Sequence, residues 1–186
     1  MKSQITIKKI QELLIKGVQT IYVDDDTSRR MWWASLEVIQ KDFLSQNYKH
    51  GGIWVASPLP AFNDKKFLNQ LHGWLWSPEG FPYFQNENAG FLPVNNSEKI
   101  KKDFDLVSNY KVLNLCQEDG YEPFLMIITP NFQCVLSIVG EKDKKILLMK
   151  CDEESLKLSI ELMHAKLNQE NYEEGVKFRN AINNLG

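Results

Sequence analysis

Three consecutive carboxylates, Asp24-Asp25-Asp26, form the most suggestive acidic cluster in the chain, and they follow the β-rich run Gln19–Val23. Carboxylates at the C-terminal edge of a strand can hold Mg²⁺. One candidate chemistry is therefore that of a small Mg-dependent enzyme or phosphotransfer protein using Asp24, Asp25 and Asp26. Phosphotransfer also needs an isolated acceptor Asp on a later strand, and Ile53–Ser57 supplies none. The simpler role for the triplet is to cap and solvate the helix that follows it, with Asp26 or Thr27 as the cap.

The remaining reactive residues form no pattern with ligand or catalytic spacing. His50, His72 and His164 are dispersed, and Cys116, Cys134 and Cys151 contain no CxxC; a metal site is not expected. Buried thiols in a reducing compartment are the plain reading of the cysteines, with redox sensing as the alternative. Gly51-Gly52 precedes a strand and does not join a strand to a helix, so no phosphate loop of the GxGxxG or GxxxxGK type is present. No GxSxG occurs, and no catalytic residue or cofactor is indicated.

Aromatic residues offer a different possibility. Trp54, Trp74 and Trp76 fall on neighbouring β-rich runs, Trp32 on an adjoining helix, and Phe81, Tyr83 and Phe84 in an irregular stretch. Such a group suits the wall of an apolar pocket for a planar ligand, with Trp54, Trp74, Trp76, Phe81 and Tyr83 as ligand-binding candidates. It equally suits a packed core.

The elements that must position these residues can be read from periodicity and punctuation. Thr6 caps a helix whose Ile7, Ile10, Leu14 and Val18 share one face, ending near Gly17. Trp32, Leu36, Ile39 and Phe43 mark a second helix, with Trp33 off the stripe. Strands are expected at Gln19–Val23, Ile53–Ser57, Gly73–Trp76 and Lys111–Leu115, with further helices after Asn63 and Asn95. Alternation of this kind predicts helices crossing over a largely parallel sheet. Phe124–Ile128, Phe132–Val139 and Ile146–Met149 then form an antiparallel meander, turning at Thr129-Pro130-Asn131 and at Glu141–Lys145. Asp152 caps a helix carrying Leu156, Ile160, Met163 and Leu167. Asn171 and Glu174 suggest a capping box for a last helix with Tyr172, Val176, Ile182 and Leu185 inward. The fold class is α/β with a mixed sheet: an alternating α/β body over residues 1–151 and an αα-hairpin over 152–186, which can pack on the same domain. Ser77–Val94 lacks periodicity and is the longest irregular piece.

A chain of 186 residues with 43% hydrophobic and 25% charged residues can bury a core without disulfides or metals. No run approaches the roughly 20 apolar residues of a membrane span, and Met1-Lys2-Ser3 leads into an amphipathic pattern, unlike a secretory leader. These features point to the cytoplasm or an organelle stroma. A net charge of −2 provides no phosphate-neutralising field, so nucleic acid is not the expected partner.

Two stretches resemble known families. Residues 122–140, with an acidic–Pro–hydrophobic strand, the turn Thr129-Pro130-Asn131-Phe132 and a second hydrophobic strand ending in Gly140, look like the end of the DICT-type sensory domain. That family accompanies diguanylate cyclases and two-component proteins, notably in cyanobacteria. Residues 159–185 resemble the UVR motif, a helical hairpin of excinuclease subunits and protease adaptors, through Leu162-Met163, Ala165, Tyr172-Glu173, Arg179, Ile182 and Leu185. Gly175 and Val176 stand where that motif prefers alanine, and Asn180 where it has Asp. The resemblances imply a non-catalytic sensory or regulatory domain in signal transduction, binding a small ligand or a protein, with Tyr172, Glu173 and Arg179 contacting the partner. A structural subunit or adaptor of a larger assembly is the third reading, suggested by Trp33 and the aromatic segment.

Overall fold

The computed structural model describes residues 4–18, 21–44, 51–58, 71–78 and 109–185. Helix α1 (Ile7–Leu14) begins at Thr6, whose hydroxyl accepts from the Lys9 amide at 3.1 Å. Gly17, with φ of 77°, follows its last turn. Helix α2 (Asp25–Val38) is capped by Asp24, not by Asp26 or Thr27: the Asp24 carboxylate accepts from the Thr27 amide at 2.7 Å. That bond, helped by the Thr27 side chain, holds the Asp24 carboxyl below the usual aspartate range. Asp25 pairs with Arg29 at 2.8 Å. The triplet thus does the work of a helix start, and the described residues contain no group of three or more His, Cys, Asp or Glu side chains placed to hold a metal.

Helix α2 runs into a π-helical segment, Ile39–Leu44. Trp32, Leu36 and Ile39 are buried as their spacing requires, but the wider π turn carries the buried position on to Leu44 and leaves Phe43 40% exposed. Phe43 instead stacks on Phe132 with ring centroids 4.5 Å apart. Trp33, off the stripe, is exposed. Of the run expected as a strand at Gln19–Val23, the first two residues lie outside the described residues, and Ile21–Val23 contributes a bridge between Val23 and Lys145.

Strands β1 (Ile53–Ser57), β2 (His72–Ser77), β3 (Tyr110–Asn114), β4 (Phe124–Ile128), β5 (Gln133–Glu141) and β6 (Lys144–Lys150) form one mixed sheet in the order β3-β2-β1-β4-β5-β6. β1, β2 and β3 are parallel, while β1–β4, β4–β5 and β5–β6 are antiparallel, so the parallel half and the meander meet at β1 and β4. The chain is thus an α/β fold on a mixed sheet. β1 and β4 are buried at every position, as expected for strands covered on both faces.

Two cores follow from the two faces. One face packs Trp54, Ala56, Leu75, Leu125, Ile127, Cys134 and Leu136 against Trp32, Leu36, Ile39 and Leu44. The other packs Ile53, Val55, Trp74, Trp76, Phe124, Met126 and Val135 against α1 and two C-terminal helices, α3 (Glu153–Glu170) and α4 (Tyr172–Asn183). Asp152 caps α3, accepting from the Ser155 amide at 2.9 Å, and its carboxyl lies below the usual range because of that bond. The helices expected after Asn63 and Asn95 and the aromatic stretch with Phe81, Tyr83 and Phe84 lie outside the described residues. Among the described residues, no helix is long and apolar enough to cross a membrane.

Candidate functional site

The α3–α4 hairpin is fastened to the sheet by polar side chains inside an otherwise apolar interface. Trp74 and Trp76 are two residues apart on β2, so both indoles point at the hairpin. The Trp76 indole N–H donates to Glu170 Oε2 at 2.7 Å, and the Trp74 indole N–H donates to Glu174 Oε2 at 2.9 Å. Glu170 Oε1 accepts from Lys166 Nζ at 2.6 Å, and Lys166 also donates to Asp119 Oδ1 at 2.7 Å. The Lys166 ammonium lies 5.3 Å from the centre of the Trp76 ring, a cation–π contact in a desolvated setting. Asp119 completes its shell with the amides of Ile7 at 2.9 Å and Cys116 at 3.3 Å. Lys166 and Asp119 are both about 1% exposed at the side chain, and every charge in the group has a partner.

Asn171 caps α4, its Oδ1 accepting from the amides of Glu173 at 3.1 Å and Glu174 at 3.3 Å. The reciprocal half of the expected capping box does not form. The Asn171 amide is committed to Leu167 O at 2.7 Å, and the Glu174 carboxylate reaches across to Trp74 and to Lys177 Nζ at 2.7 Å. Burial disfavours the Glu174 carboxylate, but the hydrogen bonds from Lys177 and Trp74 and the charges of Lys177 and Lys111 outweigh it and hold its pKa below the usual glutamate value.

A cleft of about 410 Å³ opens between α4 and the first residues of β2 and β3. Trp74 lies at its base, Tyr110 and Lys111 form one wall, and Glu174, Lys177 and Asn180 form the other. This size and mix of one aromatic surface with several convergent polar groups suit a small ligand. A second cleft of about 570 Å³ lies on the opposite flank of α4, between the Pro130-Asn131-Phe132 turn and the start of α3, with Cys151 and Arg179 at its border. Arg179 and burial both favour the neutral form of His164, lowering its pKa, burial being the larger influence.

The structure separates some of the residues that the sequence groups together. β1 pairs with β2 so that Val55 faces Trp74 and Trp54 faces Gly73. That register sends Trp54 to the α2 side of the sheet, where it packs on Tyr110 at 5.4 Å, while Trp74 and Trp76 point to the α3–α4 side. The three indoles therefore do not share a wall. Trp76 is fully buried, and of the three only Trp74 borders the cleft. Phe81 and Tyr83 lie outside the described residues.

Tyr172, Glu173 and Arg179 are all exposed on α4, Tyr172 by 73%, but the structure does not group them: at seven residues apart Tyr172 and Arg179 share one side of the helix, while Glu173 is turned about 100° from both, toward Lys177 and Asn180. The inward face of α4 is not Tyr172 and Val176, as the sequence suggested, but Glu174, Gly175 and Phe178, with Ile182 and Leu185 packed at its end. Gly175 allows the close approach that goes with this orientation: a Cβ there would sit 1.9 Å from Asn168 Oδ1 and 3.1 Å from the Asn168 amide nitrogen, so a side chain would displace Asn168 where α4 crosses α3. Asp119, Lys166 and Glu170 carry no motif signal in the sequence, and Glu174 stands out there only as a partner for the Asn171 cap. The one available signal was Lys166, which falls three residues after Met163 on the buried arc of α3 and so demands a buried counterion.

Comparison with curated proteins and with solved structures gives no match. The family model described as "Domain of unknown function (DUF8628)" matches residues 8–186, which span the whole sheet, α2 and the α3–α4 hairpin. The match takes in the cleft and both of its walls, and the chain belongs to the DUF8628 family.

Proposed function

We propose that the chain is a non-catalytic sensory or regulatory domain that works by binding, in the cytoplasm or an organelle stroma, with α4 as its recognition element. The observation that carries this reading is that one helix supplies two surfaces. Its inner flank, through Glu174 and Lys177, walls the cleft over Trp74, and its exposed residues Tyr172, Glu173 and Arg179 are offered to a protein partner. Glu174 links the two, because its carboxylate holds the Trp74 indole while its amide is held by the Asn171 cap that starts the helix. A ligand that competes for Lys177 or for the indole N–H changes the contacts that seat α4. The resemblance of residues 122–140 to a sensory domain supports the same reading, since the turn within that stretch lines the second cleft beside Arg179. The net charge of −2 favours a protein partner over nucleic acid.

The test uses the purified full chain and two measurements. In a thermal-shift screen of small metabolites, a compound that raises Tm on the wild type is expected to lose its effect on Lys177→Glu. A shift that survives unchanged places the ligand elsewhere. Partner capture is then compared between wild type and the Glu173→Lys, Arg179→Glu double variant. Loss of a partner is expected, and retention of every captured protein removes the docking role of α4.

A further inference from the structure

β5 and β6 pair antiparallel from Glu141 opposite Lys144 to Val135 opposite Lys150. One more step in that register sets Cys134 opposite Cys151, the residue that follows β6. Alternation puts both side chains on the α2 side of the sheet: Cys134 lies in that core with Leu136, and Leu147, four residues before Cys151, packs against the same core. Directly opposed residues of an antiparallel pair have Cα atoms about 4.5–5.5 Å apart, within the span of about 4.4–6.8 Å that a disulfide bridges. A second observation agrees with the register: the two thiols are close enough that a charge on Cys151 raises the pKa of Cys134. The pair is asymmetric in access. Cys134 is fully buried, whereas Cys151 is exposed and borders the larger cleft.

We propose that Cys134 and Cys151 are a redox-modification site, oxidised by a small disulfide of the glutathione class to an intramolecular bond across β5 and β6. The Cys151 thiolate attacks the small disulfide, forming a mixed disulfide and releasing one thiolate. Cys134, on losing its proton, attacks the Cys151 sulfur and expels the second thiolate. Two electrons pass from the protein thiols to the small disulfide, which leaves as two thiols carrying the two protons. Burial and the neighbouring Cys151 push the Cys134 thiol up to about 12, and burial followed by the Asp152 charge raises that of Cys151. Both thiolates are therefore scarce at neutral pH, so the pair answers slowly to the thiol–disulfide ratio, unlike a peroxide sensor built on an acidic thiol. The bond ties the residue before Asp152, the cap of α3, to the core strand β5, and so fixes the start of the hairpin.

The native full chain is incubated with excess glutathione disulfide at pH 8.5, the remaining thiols are alkylated, and intact mass and peptide maps are read. The expected product has lost two hydrogens, links Cys134 to Cys151, leaves Cys116 alkylated, and melts about 5 °C or more above the reduced chain. The Cys151→Ser variant, which leaves the core untouched, is expected to form no intramolecular bond and to keep Cys134 free. A wild type that stops at a glutathione adduct on Cys151, bonds through Cys116, or stays reduced overturns the proposal.

Discussion

Lys166 is the side chain on which the seating of the hairpin converges. It donates to Asp119 at 2.7 Å and to Glu170 at 2.6 Å and lies over Trp76, with about 1% of its side chain exposed. Replacing both members of a buried ion pair by apolar groups is often close to neutral, but removing one strands the other. Lys166→Met preserves the packing volume and leaves Asp119 and Glu170 without their cation. A loss of about 3–5 kcal/mol is expected from urea denaturation. The Asp119→Asn, Lys166→Met double variant, which removes both charges, is expected to recover part of that loss. An unchanged midpoint for Lys166→Met would show that water reaches the site and that the pair carries no weight. In sequence terms Lys166 stands on the apolar arc of α3, while Asp119 lies 47 positions away in a short polar turn, and nothing local connects them.

At the scale of elements, packing between strands decides which substitutions are tolerated. A Cβ at Gly73 would come within 2.2 Å of Trp54 Cε2. The Trp54 indole is fully buried and packed on Tyr110, so it has nowhere to move. Gly73→Ala is expected to cost about 3 kcal/mol through overpacking, read as a lower urea midpoint with a changed near-ultraviolet circular dichroism of the indoles. Wild-type values for both would mean that the β1–β2 contact is looser than the register implies. The α2 segment teaches a related lesson. Its Trp32, Leu36 and Ile39 stripe was legible, but the extra residue of the π turn, which substitutes Leu44 for Phe43, is invisible to a 3.6-residue period.

For the molecule as a whole, the sheet has two faces and needs covering on both. On one of them α3 and α4 supply Leu156, Met163, Leu167 and Phe178 to the core that contains Trp74, Trp76, Met126 and Val135. The division into a body of residues 1–151 and a hairpin of 152–186 therefore makes a clear prediction. A fragment ending at Cys151 exposes that core face and is expected to bind hydrophobic dyes and to lack a cooperative thermal transition. A fragment that melts cooperatively would restore the hairpin to the standing of a separate module.

Local chemistry along the chain was enough to read the α/β class, the parallel half followed by a meander, and the caps Thr6, Asp152 and Asn171. These rest on signals within four residues of each other: alternation, the helical period, and side chains that reach the next free amide. Tertiary structure alone decided which face each residue serves. The pairing of Val55 with Trp74 divides the tryptophans between the two cores, since shifting the pairing of two strands by one residue reverses every side chain. Helix α4 carries two apolar arcs, one with Tyr172 and Val176 and one with Phe178 and Ile182. The close crossing at Gly175, the Glu174 bond to Trp74 and the packing of Phe178 on that indole turn the second inward and leave the first to solvent. Buried charges and opposed cysteines join residues far apart in the chain, so their partners become visible only when the sheet and hairpin meet.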